Sequence, residues 1–279
     1  TVQGSVFVGQ GIGGFLYSIV GAPISFMING LSYLFSSVSE KFIDIPQKIE
    51  KKKKLNFKEY MQDFVIELKK GFAYIWNNKG LRNFFLLVSV QNFFTAPIVV
   101  LLPFHIENYL LLSPQWFGYM LATLGIGSLT GYIVTGMLNL SGKRKAKMMY
   151  IALPILFGLL IIMGVLLNPI ISFVCIFLAG LMSGFLNINI NTIIQLSTPS
   201  HIRGRVMGVL GTLSMGLMPI GMGLGGVILD IIGQNAPLML IWIGIFSGLL
   251  TLPILFNKSF RVLLSYEAPE EENDDDEVG

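Results

Sequence analysis

Apolar residues run almost unbroken through eight stretches of this chain, at roughly 4 to 20, 22 to 38, 81 to 104, 114 to 138, 147 to 167, 169 to 196, 205 to 232 and 236 to 256. An α-helix rises about 1.5 Å per residue, so about 20 such residues cross a hydrocarbon layer of about 30 Å. The pattern predicts eight membrane-spanning helices. Between the second and third, the pattern changes. Phe57, Tyr60, Met61, Phe64, Val65, Leu68, Phe72, Ile75 and Trp76 recur at helical spacing with charges between them, which predicts an amphipathic helix. Such a helix could lie on the anionic inner leaflet, where Lys51 to Lys54, Lys69, Lys70 and Lys79 would suit it, or pack beneath the spans. After Arg261 the chain turns acidic, from Glu270 to Glu277, and is too polar to bury a core.

The most distinctive run is Gly208 to Gly233, which carries no charge before Asp230. Gly211, Gly221 and Gly225 share roughly one helical face, and Pro219 removes a backbone hydrogen bond in mid-span. Small residues let a second helix approach closely, and the proline permits a bend. This run has a copy near the start. Gly9, Gly11, Gly13 and Gly14 match Gly221, Gly223, Gly225 and Gly226, and each set is followed by Gly21 or Gly233. Ala22-Pro23 and Gly30 then answer Ala236-Pro237 and Gly244. Two consecutive spans therefore recur, as in transporters built from two similar halves with the substrate between them. The first copy closes one half and the second closes a complete six-span half, so four further spans are expected ahead of Thr1. The resulting division is 1–38 for the last two helices of the first half, 39–80 for a central cytoplasmic loop, 81–258 for the six-helix second half, and 259–279 for the acidic tail.

Charge fixes the expected orientation. The 19 Lys and Arg residues fall between Lys41 and Arg82, at Lys143 to Lys147, at Arg203 and Arg205, and at Lys258 and Arg261. With eight spans, all four clusters lie on one side, which the positive-inside rule makes cytoplasmic, together with both ends of the chain. Charged residues are only 13% of the whole and mean hydropathy is +0.70, so a soluble or nucleic-acid-binding protein is not expected. Neither a metal site nor a cofactor is expected, because His105 and His201 lack Cys or acidic partners at ligand spacing and Cys175 sits alone in an apolar run. No nucleophile beside a base lies within the spans, which argues against an enzyme.

Two inner segments have the form of gating motifs. Gly136, Asn139, Gly142, Lys143, Arg144 and Lys145 fall in one connection between spans, and Pro199-Ser200-His201-Ile202-Arg203-Gly204-Arg205-Val206 in another. The second resembles the Pro-x-x-x-Arg-Gly-Arg-Val pattern of the major facilitator superfamily, in particular its bacterial macrolide and siderophore exporters. The resemblance implies an all-α membrane bundle of twelve spans, of which this chain would hold spans five to twelve. The family's loop motif has an acid where Asn139 stands and a base where Leu140 stands, so this chain departs from it at the ion pair that latches the inner gate. Gly9, Gly13 and Gly14 match the family's antiporter motif, while Gln10 replaces its proline and Ser5 its leading glycine.

A midplane cavity needs polar groups that lipid cannot satisfy. Asn187, Asn191 and Gln195 fall on one face of the tenth span, and Gln91, Asn92 and Thr95 in the seventh and Asn29 in the sixth could line the same space. The same amides could instead tie helices together. Gly9, Gly13, Gly14, Gly221, Gly225, Gly226 and Pro219 are the expected packing positions. His105, Glu107 and Asp230 fall at outer ends, where solvation is expected, and coupling carboxylates are expected upstream. The expected function is export of a small amphipathic compound, macrolide-like or siderophore, by proton-coupled alternating access. It would be carried out by a monomer in the bacterial inner membrane, with lipids, substrate and protons as its partners. A transport-inactive scaffold or sensor and a carrier of lipid-like molecules are the alternatives.

Overall fold

A computed structural model describes Val20, residues 23–40, Phe42, and residues 56–138, 141–255 and 262–264. Among these the secondary structure is helical throughout. The first glycine copy, with Gly9, Gly13 and Gly14, lies outside the described residues, as do Asn139, Leu140 and the acidic tail.

Residues 23–40 form a helix, α1, whose large apolar side chains are bare, with Phe26 and Phe35 both more than 70% exposed. The amphipathic segment is α2 (Phe57–Asn77), started by Asn56, whose backbone N–H donates to Glu59 Oε2 at 3.0 Å. Asn78 both ends α2 and starts the next helix. Its N–H donates to Tyr74 O, and its side-chain oxygen accepts from Gly80 and Leu81 N–H. Of the two placements open to α2, the structure shows packing. Its second half lies on α8 and α3, with Ile75 and Gly71 buried, while Met61, Phe64 and Val65 in its first half are exposed.

The bundle that follows comprises α3 (Lys79–Thr95), α4 (Ile98–Phe104), α5 (Gln115–Leu138), α6 (Gly142–Val165), α7 (Pro169–Ser197), α8 (Ser200–Gly216), α9 (Met218–Ile231) and α10 (Ala236–Leu255). Four helical segments in this set are long and apolar enough to cross a membrane: Lys79–Tyr109, Gln115–Leu138, Gly142–Val165 and Pro169–Ser197. Met218–Ile231 and Ala236–Leu252 are shorter apolar helices.

Two predicted single spans carry a local interruption beside a proline, the first within the continuous helical segment Lys79–Tyr109. The run 81 to 104 divides at Ala96-Pro97 into α3 and α4, and continues through a π-helical turn, His105–Tyr109, after Pro103. The run 205 to 232 divides at Leu217, ahead of Pro219 at the start of α9, and its first helix begins at Ser200. A proline has no N–H to give the preceding turn, so the ladder is interrupted there. The basic segment also differs from its expected place. Gly142, Lys143, Arg144 and Lys145 form the first turn of α6, not a loop.

Glycine sets the tightest contact. Gly127 and Gly131 on α5 press against the carbonyls of Phe177 and Leu181, while Gly180 and Gly184 on α7 press against those of Leu124 and Ser128. The Ser128 hydroxyl donates to Gly180 O at 3.1 Å across this seam. Two small-x-x-x-small pairs thus interlock α5 and α7 backbone to backbone. The glycines of α8 and α9 divide. Gly221 packs on the Phe93 carbonyl and Gly225 on the Pro97 ring, whereas a side chain at Gly211 on α8 or Gly226 on α9 would meet open space.

Candidate functional site

Two adjoining cavities run through the bundle. The first, about 320 Å³, is almost wholly apolar, enclosed by α4, α5, α6 and α7, with Thr95 and Ser183 as its polar side chains. The second, about 190 Å³, holds Gln91 and Asn92. Thr95, Leu156 and Phe157 line both. The three predicted residues of the seventh span are therefore brought together, by the spacing of one helical face through 91, 92 and 95.

Gln91 is the best-defined polar group of the pair. Its Nε2 donates to Ser247 O at 2.8 Å and to Thr251 Oγ1 at 2.6 Å on α10. Thr251 Oγ1 in turn donates to Ser247 O, so its oxygen must accept from Gln91 and the amide can point only one way. Gln91 thus ties α3 to α10, and its Oε1 is left buried without a partner. One unpartnered amide oxygen is thus buried at the second cavity, which adjoins the apolar chamber.

The tenth-span amides lie elsewhere. Asn187 and Gln195 are exposed and Asn191 half-buried, and none lines either cavity. Asn187 Nδ2 and Asn191 Nδ2 each donate to the carbonyl four residues back, Ser183 O and Asn187 O. They form a polar strip on the outside of the bundle. Asn29 is exposed on α1. Two residues missed from the sequence are Ser183, which lines the first cavity, and Asn189, buried with its Nδ2 on Phe185 O at 2.7 Å. The only signal for Ser183 was a small hydroxyl among Ala179, Gly180 and Gly184, which reads as packing.

In the first turns of α8 the Arg-Gly-Arg motif is resolved into separate tasks. Arg203 Nη2 donates to Thr198 O at 3.3 Å, placing a cation on the C-terminus of α7, where the helix dipole favours it. Arg205 reaches the other way and pairs with Glu67 of α2, which also binds Lys70 at 2.9 Å. Between them Gly204 is exposed, with open space where a side chain would be. The Lys70 hydrogen bond, aided by Arg205, holds the Glu67 carboxyl below its ordinary range. Among the gate candidates, Gly136, Lys143 and Arg144 are exposed and Lys145 is half-buried.

At the far ends of α4 and α9 one expectation is overturned. Glu107 and Asp230 are exposed, but His105, which begins the π turn, is fully buried, with the Tyr109 ring stacked on it.

The described residues are thus a bundle of long apolar helices, interlocked by glycine around pockets that carry a few polar groups. The family model for the Major Facilitator Superfamily matches residues 1–222, and the chain belongs to that family. Among curated proteins it is similar to the multidrug efflux pump Tap of Mycobacterium tuberculosis, at 25% identity over 230 residues, 82% of this chain and 53% of the relative. Tap of Mycolicibacterium fortuitum is 27% identical over 167 residues, 60% of this chain and 40% of the relative. Macrolide efflux protein A of Streptococcus pyogenes is 26% identical over 235 residues, 83% of this chain and 56% of the relative. The chain spans about half the length of these relatives.

Proposed function

We propose that this chain is the second-half portion of a proton-coupled exporter of small, uncharged or amphipathic molecules of the macrolide or siderophore kind. The observation that carries this reading is the pairing of an apolar chamber of about 320 Å³ with the unpartnered Gln91 oxygen next to it. An apolar wall with one or two fixed polar groups suits a molecule that is mostly hydrophobic yet able to donate a hydrogen bond. The similarity to two kinds of efflux protein supports export as the direction. In the full protein eight spans would come from this chain, with both of its ends cytoplasmic in the inner membrane of a bacterium. Asn29, Asn187, Asn191 and Gln195 would face the other half as it rocks. The protein would work as a monomer by alternating access.

The test is drug susceptibility of a pump-deficient bacterium carrying the full-length gene. The reading requires raised inhibitory concentrations for at least one macrolide or siderophore, abolished by a protonophore. Unchanged susceptibility with the protein present in the membrane would sink it.

A second reading, a carrier of lipid-like molecules, is favoured by a third cavity of about 290 Å³. Phe93, Phe94, Trp242 and Phe246 line it beside Gly221 and Gly225, with no polar side chain. Transfer of a fluorescent phospholipid between leaflets of proteoliposomes separates the two.

A further inference from the structure

His105 is placed where a titratable ring has no structural reason to be. It is fully buried, and neither Nδ1 nor Nε2 has a hydrogen-bond partner. A buried polar group without a partner destabilises the fold, and an apolar ring in the same space would not. The backbone around it is also unusual. Pro103 interrupts α4, and His105–Tyr109 winds as a single π turn closed by the Leu110 N–H on His105 O at 3.0 Å. Such turns recur at functional sites.

The ring is shut in from above. Tyr109 stacks on it, with ring centroids 6.4 Å apart, and the Tyr109 hydroxyl donates to Gln234 O at 3.1 Å on the α9 to α10 connection. Leu102 and Ile106, which flank it on the chain, belong to an apolar cluster with Leu229 of α9 and Leu240 of α10. The titratable groups at this end are Glu107 and Tyr109 on its own turn, Asp230 on α9, Tyr119 on α5 and Cys175 on α7. Glu107 and Asp230 are exposed, Cys175 is a buried thiol, and α4 and α10 carry no charged residue. The packing therefore offers neither water nor a counter-charge to a proton on this ring. Binding one requires this end to open. Leu102, one turn further in, lines the first cavity, so that opening also moves a wall of the chamber.

We propose that His105 is a proton-binding site, loaded when the Tyr109–Gln234 contact opens and emptied when it closes. The step is one proton taken up by a ring nitrogen from water and returned to water, with no other change of bonding. It rests on the proton-coupled reading above and supplies that reading with a residue in the described half.

Imidazole ¹⁵N resonances of the full-length protein, with those of His105 assigned by their loss in His105→Gln, report this ring. The ring should convert to imidazolium as the pH is lowered, in step with opening of the Tyr109–Gln234 contact. Tyr109→Phe, which releases the clasp, should move that midpoint to higher pH. A ring that stays neutral over the whole pH range in which the protein remains folded overturns the site. In proteoliposomes, accumulation of radiolabelled erythromycin driven by a pH gradient of one unit should fall about tenfold, to the no-gradient level, in His105→Gln. Full gradient dependence in that variant also overturns it. His105→Phe keeps the apolar packing and should melt no lower than the parent, and it carries the transport test if His105→Gln fails to fold. If the parent ignores the gradient while the ring titrates, the coupled-export reading fails and the proton site stands.

Discussion

Glu67 of α2 and Arg205 of α8 form an ion pair that joins α2 to the bundle. Two turns of chain support it: Lys70 binds the other Glu67 oxygen, and Gly71 lets the α2 backbone settle onto Arg205 O.

That pair sets a pH dependence. The Glu67 carboxyl titrates below its ordinary 4.5, so the pairing is intact above that value and is lost as pH falls through the lowered one. Spin labels at Lys69→Cys and His201→Cys should give one narrow distance at pH 7 that broadens as the pH falls through the lowered Glu67 titration. Cys175, the sole native thiol, is buried and should not compete for label. In Glu67→Gln the distribution should already be broad at pH 7; a narrow one would mean that apolar packing alone docks α2.

Gly71 tests that packing. A Cβ there would lie 2.9 Å from Arg205 O and 3.0 Å from Val209 Cγ2. Gly71→Val should therefore lift α2 and lower stability by about 1–3 kcal/mol, read as a fall in the thermal unfolding midpoint in detergent. Gly204→Val, in open space, should change it by no more than about 0.5 kcal/mol.

The α5–α7 seam should be less forgiving still. Gly127→Ala and Gly184→Ala place a methyl against a backbone carbonyl that cannot rotate away, and each should cost about 1–3 kcal/mol. Gly158→Ala and Gly226→Ala meet nothing within 4 Å and serve as controls. Equal midpoints across all four variants would refute the interlock.

Gln91 and Asn191 separate a chamber residue from a surface one. Gln91→Leu removes the bonds to Ser247 and Thr251 and the free acceptor, and efflux of a macrolide in the full-length protein should drop about tenfold, as for loss of one buried hydrogen bond. Asn191→Leu, half-buried on the outer strip, reports on the face expected to meet the other half. Loss of efflux in Asn191→Leu with none in Gln91→Leu would move the site from the chamber to that face.

Helical character, the long apolar runs and the amphipathic loop helix were legible in the sequence, because each depends on local periodicity or on the summed hydrophobicity of about 20 residues. The two proline interruptions were half legible: Pro219 announced a bend, yet whether a bend becomes an interruption depends on what its neighbours pack against. Which face of a helix turns inward was not legible. Asn187, Asn191 and Gln195 make a better polar row than Thr95 and Ser183, but the glycine seam with α5 fixes the rotation of α7, turning Ser183 into the chamber and the amides out. Gly225 and Gly226 are adjacent and alike in sequence, yet only Gly225 meets Pro97. His105 looked like a solvated residue at a helix end until one extra residue in a π turn, and a connection more than 120 residues away, enclosed it. Hydrophobic length is a property of a segment, so the sequence alone determined it. Contact between segments depends on rotation and approach, and only the tertiary structure decided those.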